Sequence, residues 1–254
     1  MYILSADTTA KTAAVCISKY SDGVLKPVSQ ASVNGTLTHS ESLLPMIDFC
    51  LKNSGITFAD IDITAITAGP GSFTGVRIGV STIKGLAFAN GKCACVGVST
   101  LEALAYNLHS VPAGSIILPL MDARRNQFYN ADFVFTRSGK LKRLSKDNLC
   151  VFDEIIERLQ KDYKNKKIIL VGDGAELFYS IYMKRENIGL NIKLCDYADM
   201  YQNGLSVAKA ALCLYNAIGD KSAFTPEKLN PVYLRASQAE RERNEKLSEK
   251  GTVK

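Results

Sequence analysis

Two carboxylates end apolar runs at corresponding places in this chain. Asp7 closes "YILSAD", and Asp122 closes "IILPLMD" 115 positions later. Each half also carries a glycine turn between an apolar run and a helical pattern. Gly69 and Gly71 stand in "AGPGSFTG", and Gly172 and Gly174 in "LVGDGAELF", 103 positions apart. A glycine turn lets backbone N–H groups approach an anion, and a following helix N-terminus favours negative charge. The chemistry to test is therefore phosphate binding. The similar offsets imply an ancient duplication of one α/β unit.

The loops lack the residues that a phosphate site needs. From Gly69 to Gly79 the spacing is G-x-G-x-x-x-G-x-x-x-G, not the dinucleotide G-x-G-x-x-G. No Asp or Glu lies between Ile63 and Leu101 to hold a ribose, and no Lys-Ser/Thr follows the glycines as in a P-loop. Neither Asp7-Thr8-Thr9 nor Asp122-Ala123-Arg124 carries a glycine for close approach to phosphate. Only Gly172-Asp173-Gly174-Ala175 keeps a form suited to cradling an adenosine. Asp7, Asp122, Gly172 and Gly174 are therefore weak cofactor-binding candidates, and no cofactor is expected.

Other catalytic arrangements find little support. The two histidines, His39 and His109, form no H-x-x-x-H or H-E-x-x-H, and there is no G-x-S-x-G elbow. His39 stands among Thr38, Ser40 and Glu41 at a helix start, which fits capping or an interface. Seven scattered cysteines contain no C-x-x-C, which points to buried free thiols in a reducing compartment. The close pair Cys93-x-Cys95 is assigned to alternate faces of one strand. No apolar run reaches the ~20 residues of a membrane span, so a cytoplasmic protein is expected. A net charge of +6 permits a nucleic-acid partner without demanding one.

The elements that position these residues follow from pattern. "YILSAD", "AAVCIS" and "VLKPVSQASV" read as a β-meander with a turn at Ser21-Asp22-Gly23. A helix runs to Asn53-Ser54-Gly55; Thr38 and Glu41 have capping-box spacing, while Pro45 moves its expected start toward Ser42. Strands at "DITAITAG" and "CACVGVS" flank the glycine stretch, and Ser99 with Glu102 opens a short helix. In the second half, residues 127–135 read as one strand with Tyr129, Ala131, Phe133 and Phe135 on one face. "KKIILV" is a strand before a glycine turn and helix, and "NGLSVAKAALCLYNAIG" is a helix capped by Asn203.

The glycine stretch also reads as a structural turn or as a surface for another helix. Gly75 and Gly79 share a helix face, and each costs roughly 1 kcal/mol against alanine unless close packing offsets it. Val76, Val80 and Ile83 form an apolar stripe beside them, and Phe73, Ile78 and Leu86 point elsewhere. The preceding helix, with Leu43, Leu44, Ile47 and Leu51, is likewise apolar over most of its circumference. One face for the sheet and one for a partner is the expectation. It assigns His39, Leu43, Leu44, Ile47, Leu51, Gly75, Val76, Gly79, Val80 and Ile83 to a partner interface.

The split α/β pattern with two Asp-ended hairpins resembles the two-lobed ASKHA architecture of actin, sugar kinases and Hsp70 ATPases. "ILSADTTAKTAAVCIS", "THSESLLPMID", "AGPGSFTGVRIG", "GVSTLEALA", "MDARRNQFY" and "PVYLRASQAERE" resemble, in order and over almost the whole chain, the TsaB (YeaZ) family. The resemblance implies a non-catalytic subunit that pairs with a TsaD-like catalytic subunit and lets a TsaE-like ATPase dock, for threonylcarbamoyl transfer to the adenosine beside the anticodon of tRNA. TsaD-like proteins carry a metal-binding H-x-x-x-H where this chain has Thr100 and Leu104. It further implies self-pairing as a homodimer when alone and contact with tRNA only through the complex. An ATP-binding kinase or ATPase is the alternative. The expected organisation is one lobe over 1–108, a second over 109–203, a C-terminal helix and segment over 204–235 packing back on the first, and a charged tail over 236–254.

Overall fold

A computed structural model describes residues 1–35, 38–108 and 111–235; His109 and the tail from 236 to 254 lie outside the described residues. The first half runs β1 (Tyr2–Asp7), β2 (Ala13–Ser21), β3 (Val24–Val33), α1 (His39–Ser54), β4 (Ile61–Gly69), α2 (Phe73–Asn90), β5 (Ala94–Ser99) and α3 (Thr100–Ala105). The second runs β6 (Ile116–Asp122), β7 (Gln127–Asn130), β8 (Phe133–Phe135), β9 (Leu141–Arg143), β10 (Asn148–Val151), α4 (Phe152–Tyr163), β11 (Lys167–Val171), α5 (Ala175–Met183), β12 (Asn191–Leu194) and α6 (Gly204–Ala217). The sheet orders are β3-β2-β1-β4-β5 and β10-β7-β6-β11-β12, with β8 and β9 added beside β6. Removing that added hairpin leaves the same βββαβαβα succession in both halves. This is the duplicated unit of the ASKHA class. No helix among the described residues is long and apolar enough to cross a membrane.

The central strands are apolar on both faces because helices cover both. On one side of the first sheet, α1 and α2 bury Leu43, Ile47, Val76, Val80 and Ile83 against Leu4, Val15 and Ile66. On its other side, Ile3, Ile63 and Val96 meet Val207, Ala208 and Ala211 of α6. The second sheet packs α4 and α5 on one face. Its other face receives Leu101 and Leu104 of α3. The halves thus exchange their last helices, and the compact unit does not break at residue 108.

Local chemistry corrects three readings. Helix α1 starts at His39, not near Ser42: Glu41 Oε2 accepts from both the N–H (2.9 Å) and the hydroxyl (2.6 Å) of Thr38, fixing the start and leaving Pro45 inside the helix. Residues 127–135 form two strands. At Asp132 the ladder is broken, its N–H donating to Ser145 Oγ (2.9 Å) and its carbonyl accepting from Leu144 (2.8 Å). Tyr129, Ala131, Phe133 and Phe135 still share one core. Cys93 and Cys95, two residues apart, share a face and enter the same core. Of the seven free thiols four are buried, whereas Cys213 is exposed.

Gly75 and Gly79 face inward, not toward another chain. A Cβ on Gly75 would collide with the carbonyl oxygen of Thr8, and one on Gly79 with Thr8 Oγ1 and Ile66. Thr8 Oγ1 donates to the Gly75 carbonyl at 2.8 Å. The close approach that the glycines permit is therefore to the β1–β2 turn and β4. Gly85, on the outer side of α2, has nothing within 4 Å of its Cβ position. Gly75→Ala is expected to destabilise the fold by about 1–3 kcal/mol. Gly85→Ala should stabilise it by up to ~1 kcal/mol. Urea unfolding of the two variants checks both signs.

Candidate functional site

The C-terminal ends of β1, β4, β6 and β11 converge on a cavity of about 630 Å³ between the two sheets. Asp122 and Asp173 line it. Asp7, 1% exposed, lies beneath, its Oδ1 accepting from the N–H (2.8 Å) and hydroxyl (2.6 Å) of Thr9. Burial pushes the Asp7 carboxyl up from 3.8 to about 6, against the pull of the Thr9 hydrogen bonds. Burial, then the neighbouring Asp122 charge, raises Asp173 to about 6 as well, and its buried Oδ1 has no partner. His39 presents Nε2 to the Ala10 carbonyl at 2.7 Å, so that nitrogen carries the proton, and its buried Nδ1 is left unpartnered.

The glycine turns are filled by the chain itself. The N–H of Ser72 donates to the Thr9 carbonyl at 2.7 Å, and Ser72 Oγ caps α2 by accepting from the Gly75 N–H at 3.3 Å. Gly172 (φ +104°) and Gly174 pack on β6: their Cβ positions fall on the Leu120 carbonyl and the Asp122 N–H. The weak candidates Asp7, Asp122, Gly172 and Gly174 are thus brought to one cleft, but both glycines serve packing there.

Sequence reasoning missed the roof of the cleft. Residues 225–235 run from the first half across its mouth. Leu229 is buried against Gly97. The N–H of Val232 donates to the Ala68 carbonyl at 2.7 Å. Tyr233 stacks on Phe73 at 4.6 Å, Arg77 lies 4.0 Å over the same Phe73 ring, and Arg77 Nε donates to Tyr233 Oη at 3.1 Å. Arg235 Nη1 then reaches the Ala123 carbonyl of the second half at 2.9 Å. The segment 204–235 therefore touches both halves, not the first alone. Its signal was the run "PVYLR", whose consecutive bulky residues Val232, Tyr233 and Leu234 show neither helix nor strand period.

Between α1 and α2, on the outer surface, lies a second and shallower groove of about 330 Å³, lined by His39, Leu44, Arg77, Ile78, Ser81 and Thr82 among others. Of the residues expected at a partner interface, Leu44 is exposed, and His39 and Leu51 are half-buried. Leu43, Ile47, Gly75, Val76, Gly79, Val80 and Ile83 are buried in the chain's own core, because the sheet and the Thr8 turn already use those faces.

The family described as TsaD, tRNA N6-adenosine threonylcarbamoyltransferase, matches residues 35–241. The chain is 29% identical over 205 residues to the tRNA threonylcarbamoyladenosine biosynthesis protein TsaB of Haemophilus influenzae, covering 78% of this chain and 80% of that one. It is 30% identical over 185 residues to the protein of the same description from Buchnera aphidicola subsp. Schizaphis graminum, covering 73% and 82%. The solved structure of YeaZ from Pseudomonas aeruginosa superposes with a TM-score of 0.72 at 21% identity, over 92% of this chain and 99% of that one, and so shares the fold.

The two raised carboxyls give the cleft a pH signature. Between about pH 3.8 and 6 an unfolded chain has released protons that the folded Asp7 and Asp173 retain, so stability falls as pH rises through that window, by ~1.4 kcal/mol for each unit that a pKa is raised. Asp7→Asn and Asp173→Asn should each flatten that fall and melt higher relative to wild type at pH 7 than at pH 4. Parallel melting-temperature curves across the window would contradict the assignment.

Proposed function

The chain belongs to the TsaB family of tRNA threonylcarbamoyladenosine biosynthesis proteins, and on that premise we propose that it serves this modification as a non-catalytic subunit paired with a TsaD-like transferase. The observation that carries the reading is the outer groove between α1 and α2. Both helices already bury one face in the first core, yet Leu44 in the groove remains 51% exposed, and Phe49 (52%) and Phe88 (51%) are exposed elsewhere on the same two helices. Monomeric surfaces rarely gather large apolar side chains without a partner. Ser81 and Gly85, four residues apart and exposed on α2, leave room for another helix backbone. They take the part that Gly75 and Gly79 were expected to play.

Support for a non-catalytic role comes from α3. Where the resemblance expects two metal-ligating histidines one turn apart, the chain has Thr100 and Leu104, both buried. Neither offers a metal an imidazole. The alternative of an ATP-using kinase rests on the cleft alone, whose glycine turns the chain fills itself. In the proposed assembly, a TsaE-like ATPase docks on the heterodimer and threonylcarbamoyl transfer occurs on the partner. When the partner is absent, the same groove pairs two copies of this chain. The groove is one patch, so homodimer and heterodimer compete for it.

Light scattering after size exclusion tests the pairing. Mixed with the TsaD-like protein of the same organism, the chain should give a new 1:1 peak that consumes both inputs. Leu44→Asp should leave melting unchanged, Gly85→Leu should not lower it, and both should weaken pairing at least roughly tenfold, about 1.4 kcal/mol. Unaltered pairing in both variants would move the interface elsewhere.

A further inference from the structure

The large cleft is electrostatically polarised from floor to mouth. Its floor is acidic: Asp122 and Asp173 line it, with Asp7 beneath. Its mouth is basic: Lys11, Arg124 and Arg125 are exposed, and Arg235 is half-buried on the crossing segment. Arg124 pairs with Asp122 at 3.3 Å, and Arg235 bonds a backbone carbonyl; Lys11 and Arg125 have no ion pair among the described residues. A polyphosphate reaching inward would meet the acids and glycine turns that the chain already packs itself. A phosphate held at the mouth meets cations only.

The inner wall suits a base. His39 and Asp173 both line the space, and each keeps a buried polar atom without a partner, Nδ1 and Oδ1. Amino-bearing bases supply the matching N–H donors. The Phe73–Tyr233 stack, with Tyr233 39% exposed, adds an aromatic face. A positive rim with aromatic side chains is the arrangement that holds unstacked nucleotides. A volume of about 630 Å³ falls within the usual range for a small-molecule site.

We propose that this cleft takes one unstacked nucleotide of an RNA strand, its phosphates at Lys11, Arg124, Arg125 and Arg235 and its base turned in toward His39 and Asp173. This rests on the assignment to tRNA modification and goes beyond it, because it gives this chain its own RNA contact. A free mononucleotide offers the same chemistry from a different source. The continuous strand is favoured because the cations lie along the rim, where neighbouring phosphates run, and not at the depth of a triphosphate.

The test is fluorescence anisotropy with a fluorescein-labelled, unmodified anticodon stem-loop RNA, titrated with the full chain across a salt series. Lys11→Glu combined with Arg125→Glu should weaken binding at least roughly tenfold at low salt and flatten the logarithmic salt slope by about 1.4, two contacts at about 0.7 each. Lys161→Glu with Lys164→Glu, the same charge change at the C-terminal end of α4, should keep the wild-type slope. Asp173→Asn should change the ranking of loops differing in one base while leaving the slope alone. An unchanged slope in the cleft variant, or an equal loss in the α4 variant, would overturn the proposal. So would displacement of the RNA by AMP or ATP at equal concentration, which would mark a mononucleotide site. Pairing through Leu44 and Gly85 is read separately by light scattering, so failure here leaves the subunit assignment standing or falling on its own.

Discussion

The seat of the β1–β2 turn on the first turn of α2 governs much of this molecule. Thr8 lies against Gly75 and Gly79, its hydroxyl donates to the Gly75 carbonyl, and the Thr9 carbonyl receives the N–H of Ser72. Three contacts between two short segments fix the height of α2 over the first sheet. The Ser72 N–H just before the helix is thereby spent inside the chain, and Gly71 is packed against Thr9. The same seat that stabilises the half therefore narrows the glycine turn by which a phosphate would approach.

Much of the architecture was legible because it rests on local rules. The Asp22-Gly23 turn, with both residues at positive φ, sets the first hairpin, and the Thr38–Glu41 pair sets the start of α1. The paired Asp and glycine motifs announced the duplication, and the sheets bear it out in their common order. Residue types alone could not say which neighbour a helix face meets. The excess apolar character of α1 and α2 was legible, and the face each turns to the first sheet is buried in its core. The assignment of Gly75, Val76, Gly79, Val80 and Ile83 to the outer one failed, because the contact with Thr8 is separated by more than sixty residues and has no periodic trace. Asp132 shows the same limit: its break in the strand depends on Ser145 and on Arg158, 2.9 Å away on α4.

The cleft was half legible for a related reason. Asp7 and Asp122 end apolar strands, and such ends gather ligands in α/β sheets. Lys11, Arg77, Tyr233 and Arg235 come from unrelated stretches, and only the fold collects them. His39 lines both the cleft and the outer groove, and Arg77 of the groove bonds Tyr233 of the roof. A partner in the groove would touch residues that also support the roof of the cleft.

The exchange of last helices bears on how the chain is made. Ile3, Ile63 and Val96 have much of their outer cover in α6, and Ser5 in β1 hydrogen-bonds the Gly204 carbonyl at 2.7 Å across 199 positions. A ribosome must therefore release nearly the whole described chain before the first sheet can close its second core. Until then, that sheet shows apolar surface to the cell, the condition under which nascent chains need chaperones. Although the fold is a duplication, neither copy covers both faces of its sheet without the last helix of the other.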